Sequence, residues 1–60
     1  MFEEYINRKV KLVYKDGSNI VVKTTIFLDY KDNFVFLEDT FTKVKFAVNS
    51  KDINKIEVLQ

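Results

Sequence analysis

The sequence predicts a mainly β fold: one short N-terminal helix followed by a five-stranded, strongly bent small barrel that takes up residues 1–60 as a single domain. Three observations carry this. Apolar residues alternate with polar ones in short runs, which is the period of a strand with one buried face. The runs are separated by clusters of Asp, Gly, Asn and Ser, the residues that turns favour. Proline is absent, and no stretch of linker composition divides the 60 residues into two units.

Phe2, Tyr5 and Ile6 fall at helical spacing, and Glu3 and Glu4 suit the positive end of a helix dipole, so residues 2–7 are expected to form one or two helical turns. Val10, Leu12 and Tyr14 then alternate with Lys9, Lys11, Val13 and Lys15, giving the first strand a core face and a charged face. Asp16-Gly17 ends it, since both residues tolerate the positive φ of hairpin turns. The second strand carries Ile20, Val22, Thr24, Ile26 and Leu28 on one face and Val21, Lys23, Thr25, Phe27 and Asp29 on the other. Apolar residues on both faces suit a long, bent strand shared between two parts of a closed barrel.

Residues 30–32 are expected to turn, and Phe34-Val35-Phe36-Leu37, apolar on both faces, to lie in the most buried part of the sheet. After a short loop over 38–41, Val44, Phe46 and Val48 alternate with Lys43, Lys45 and Ala47 as the fourth strand. Asn49-Ser50-Lys51-Asp52 reads as a 3₁₀ turn, and Ile53 to Leu59 as a fifth strand with Ile56 and Val58 inward. Leu12, Ile26, Phe36 and Phe46 are expected to share one core, with Phe27 at a subunit interface or in a second small core.

Composition narrows the function classes. A chain this short buries only about 60% of its unfolded surface and needs help to be stable. With no Cys and no His, neither a disulfide nor a zinc site supplies it, which leaves a dense core or oligomerisation. Ten basic against nine acidic residues give a net charge of +1, so contact with nucleic acid must come from a local patch. No apolar run reaches a membrane span, and the acidic start Met1-Phe2-Glu3-Glu4 is unlike a signal peptide, which together predict a cytoplasmic protein. Without His, Cys or a Gly-rich phosphate loop, an enzyme is not expected. No spacing demands a metal or a cofactor.

Gly17 in the first turn, Asp29 followed four positions later by Asn33, and the apolar run Phe34 to Leu37 form a motif that resembles the first motif of the Sm-like family, which includes Sm, LSm and Hfq proteins. The resemblance covers nearly the whole chain. It implies a ring of subunits in which strand four of one copy pairs with strand five of the next, and single-stranded RNA held around a pore. The RNA-contacting residues it implies are Lys31, Asn33 and Asn49. Lys31 stands where the family has an aromatic or His that stacks on a base, and Asn49-Ser50 where it has Arg-Gly before the Ile that corresponds to Ile53. Lysine cannot stack as a ring does, although its charge can hold a phosphate.

Each feature has a structural reading beside the functional one. Asp29 and Asn33 suit a turn through their side-chain bonds to nearby backbone. Lys9, Lys11, Lys15, Lys43 and Lys45 form either a basic stripe for phosphates or the solvated faces of strands. Tyr30 and Phe41, rings placed in turns, are the candidates for an interaction surface. Two functions follow: an oligomeric RNA-binding ring, or a protein-interaction or regulatory module on the same scaffold without nucleic acid.

Overall fold

The computed structural model describes residues 2–60. A 3₁₀ turn, Glu3–Tyr5, precedes strands β1 (Lys9–Asp16), β2 (Asn19–Lys31), β3 (Phe34–Asp39) and β4 (Lys45–Asn49); a second 3₁₀ turn, Ser50–Asp52, leads into β5 (Ile53–Val58). All neighbours are antiparallel in one sheet of order β4-β3-β2-β1-β5. The small, mainly β domain with five strands is therefore as the sequence predicts. Closure of the barrel is not: β4 and β5 are the two edges of an open sheet.

The sheet is nevertheless strongly bent. Laid flat, five strands would put the edge strands about 19 Å apart, whereas the chain from the end of β4 to the start of β5 reaches at most about 14 Å. Two bulges provide curvature. On β2 the ladder shifts between Phe27 and Asp29, leaving Leu28 extra, and β5 shifts against Val13 and Tyr14, so that Ile53 and Ile56 both reach the core.

The predicted helix over 2–7 contracts to one 3₁₀ turn because the backbone beyond Ile6 is claimed by β2. Asn7, at a positive φ of 66°, donates its N–H to the Phe27 carbonyl at 2.7 Å, and the Phe27 N–H donates to the Arg8 carbonyl. The apolar residues of this turn still pack inward. Phe2 lies over Tyr30 and Phe27, with ring centroids 4.8 and 6.0 Å apart, and Tyr5 lies 5.8 Å from Phe27.

The first two hairpins use two-residue loops. Gly17-Ser18 links β1 to β2 with a positive φ at Gly17 alone, the pattern of a II′ turn, and Asp32-Asn33 links β2 to β3 with positive φ at both, as a I′ turn requires. The second turn thus falls at 32–33 rather than 30–32, and Tyr30 belongs to β2.

The core consists of Val10, Leu12, Tyr14, Phe27, Val35, Leu37 and Val48. This confirms the inward face of β1 and corrects three other expectations. Phe27 is fully buried at the centre, not at an interface or in a second cluster. Phe36 is 39% exposed, Ile26 is half-buried and Phe46 packs from the rim, so of the four expected core residues only Leu12 belongs to the buried set. The third strand is not buried on both faces, since Phe34 and Phe36 point outward while Val35 and Leu37 point in. The physical cause lies in an inward polar pair. Lys23 and Asp39 share the core side and meet at 3.0 Å, which lets Val21, Thr25 and Phe27 face inward without leaving either charge unpaired, while Ile20 and Val22 stay more than half exposed. Among the described residues no helix is long and apolar enough to cross a membrane.

Candidate nucleic-acid interface

Two turns that are far apart in sequence meet at one end of the sheet. The Ser50 N–H donates to the Asn33 carbonyl at 2.8 Å, tying the I′ turn of the β2-β3 hairpin to the 3₁₀ turn before β5. Asn49 caps that 3₁₀ turn, its side-chain oxygen accepting from the Lys51 N–H at 3.1 Å, which leaves its NH₂ group free to donate elsewhere. Lys31, Asn33 and Asn49 are thus brought to one end. Lys31 and Asn33 are exposed and Asn49 half-buried.

The strand register places a ring between them. Lys31 pairs with Phe34, and Phe34 pairs with Asn49, so the three side chains lie side by side on the outer face across β2, β3 and β4. Phe34 is 42% exposed. A cation, an open aromatic face and an amide are the groups that attract a phosphate, stack on a base and bond to a base edge. Sequence reasoning missed Phe34. The available signal was the Asp32-Asn33 pair, because a two-residue turn there makes Lys31 and Phe34 direct cross-strand partners.

Beside this row opens a cleft of about 240 Å³, lined by Tyr14, Lys15, Asp16, Gly17, Phe34, Ala47, Val48, Asn49 and Asp52. Burial raises the Tyr14 hydroxyl above its ordinary value, so it stays a protonated donor at neutral pH. The remaining lysines are partly neutralised. Glu57 faces Lys11 across β1 and β5, and Glu38 faces Lys45 across β3 and β4, whereas Lys15 faces only Ile20.

At the other end of β4, Phe41 is 86% exposed at the tip of the β3-β4 loop. That loop is held firmly. One Asp39 carboxylate oxygen accepts from the Phe41 and Thr42 N–H groups at 2.8 and 3.2 Å, and the other accepts from Lys23 Nζ. The Lys23 ammonium, first, and these N–H groups hold the Asp39 carboxyl below its usual range. Asp39 correspondingly raises Lys23, whose ammonium also sits 5.6 Å over the Phe46 ring. Tyr30, by contrast, is half-buried against Phe2. No protein-family model, curated protein or solved structure matches this chain.

Proposed function

We propose that this protein is a single-stranded RNA-binding module of Sm-like type that acts as a homo-oligomeric ring. The observation that carries the reading is the row Lys31, Phe34 and Asn49, with Asn33 tied beside it. It offers phosphate attraction, base stacking and an amide at one place, and Phe34 supplies the ring that position 31 lacks. The strand order, with β4 and β5 left as free edges, supports assembly by pairing β4 of one copy with β5 of the next. Assembly matters for affinity. A subunit with a net charge of +1 attracts RNA weakly, and repeating one modest site around a ring multiplies its effect.

Fluorescence anisotropy with short U-rich and A-rich RNA at low salt tests the proposal. Phe34→Ala should weaken binding by about 1–3 kcal/mol per stacked base, and Lys31→Ala should weaken all sequences alike and flatten the salt dependence. Absence of RNA affinity in the wild type at low salt would overturn it. The protein-interaction reading, which the rigidly held and exposed Phe41 favours, then takes its place.

A further inference from the structure

We infer that the cleft beside Phe34 receives a single nucleobase and selects guanine over uracil. The inference rests on the RNA-binding reading and adds to it the identity of the preferred base. At about 240 Å³ the cleft lies below the roughly 300–1,000 Å³ of pockets that take drug-sized ligands, so it suits one ring system with the sugar and phosphate left outside. Tyr14 and Phe34 both line it, and Phe34 is open enough to stack. Two cations lie near it. Lys15 lines the rim and Lys31 is the cross-strand neighbour of Phe34, which places positive charge where the displaced backbone would run.

The polar inventory of the cleft decides which base fits. Asp16 and Asp52 bring two carboxylates, which only accept hydrogen bonds, and among the described residues no hydrogen bond or ion pair engages either side chain. Asp52 is half-buried in the second 3₁₀ turn, and Asp16 is exposed at the first hairpin. Donors in the same lining are the Asn49 NH₂ group, whose carbonyl oxygen is already used as a cap, the Tyr14 hydroxyl and the Lys15 ammonium. A base that engages both oxygens of one of these carboxylates must bring adjacent donors. Guanine presents N1–H and N2–H₂ side by side, a match for the two oxygens of one carboxylate, and its O6 can accept from an amide or hydroxyl. Uracil offers one ring N–H flanked by two carbonyl oxygens, which a carboxylate repels. Of the two acids, Asp52 is the better partner, since its partial burial strengthens a hydrogen bond that water would otherwise weaken at Asp16.

The test uses the full chain and labelled hexamers: all-U, U with one guanosine, and U with one inosine, which lacks the 2-amino group. The guanosine oligomer should bind about tenfold tighter than all-U, and inosine should lose most of that gain. Asp52→Asn should abolish the guanosine preference while all-U binding stays within about twofold, because the row of Lys31, Phe34 and Asn49 is untouched. Asp16→Asn serves as the second variant. Equal binding of the guanosine and all-U oligomers by the wild type overturns the inference and leaves the RNA-binding reading standing. A guanosine preference that survives both substitutions overturns the role of the cleft. Binding of none of the three oligomers overturns inference and RNA-binding reading together.

Discussion

Asp39 is the residue on which most of the local order of the β3-β4 loop converges. It is almost completely buried, yet charged, and its two oxygens are divided between the Lys23 ammonium and two loop N–H groups. Its carboxyl is held below the ordinary value of about 3.8, so the charged form is favoured in the folded chain. The resulting stabilisation is complete above the ordinary value and is lost as the pH falls through the lowered one. Thermal midpoints of wild type and Asp39→Asn measured from pH 7 to pH 2 should therefore differ most near neutrality and converge in acid. A gap that stays constant to pH 2 would show that the carboxylate charge contributes nothing. Two phenylalanines offer a second check at this scale. Phe27 is fully buried and Phe36 well exposed, so Phe27→Ala should cost about 3–5 kcal/mol and Phe36→Ala under about 1 kcal/mol in denaturant unfolding.

At the scale of elements, β1 and the 3₁₀ turn at Ser50–Asp52 were legible in the sequence, whereas β2 and β3 were legible in extent but not in facing. The difference has a physical origin. On β1 every inward position is apolar and the outward positions carry three lysines, so periodicity alone assigns the face. On β2 the more apolar set, Ile20, Val22 and Ile26, faces outward, and Lys23 is tolerated on the inward face because Asp39 pairs with it there. No single-strand pattern reveals a pair 16 residues apart. On β3 the run Phe34 to Leu37 has no polar residue to mark a face, so its pattern cannot show that Phe34 points outward beside Lys31.

The hairpin turns were marked by composition. Their chemistry allows a direct test at Gly17, where an added Cβ would meet nothing within 4 Å. Only the φ of 63° opposes substitution, so Gly17→Val should cost about 1–2 kcal/mol and Gly17→Asn much less, as read by urea midpoints. Equal losses for the two would mean that something other than backbone conformation holds this turn.

At the scale of the whole molecule, the two free edges are complementary to each other in one register. If β4 pairs antiparallel with β5 of a second copy so that Lys45 faces Glu57, then Phe46 faces Ile56 and Val44 faces Val58. This register keeps the faces consistent. Phe46 and Ile56 are the neighbours of core residues Leu37 and Leu12, while Lys45 and Glu57 are the outward partners of Glu38 and Lys11. The apolar residues still exposed near this seam, Val44 and Val58, would be covered. Across the seam the outer face would read Glu38, Lys45, Glu57, Lys11, with alternating sign over four strands. Lys45→Glu or Glu57→Lys alone places like charges opposite each other and should weaken each contact by about 1 kcal/mol, roughly fivefold. Mixing the two variants restores an opposite pair at every seam, provided that they alternate. An equimolar mixture should therefore assemble where each variant alone does not, at moderate salt, as read by native mass spectrometry. Alternation also demands an even number of subunits in a closed ring. A mixture that assembles no better than its components, or a wild type that remains monomeric at high micromolar concentration, would exclude this seam.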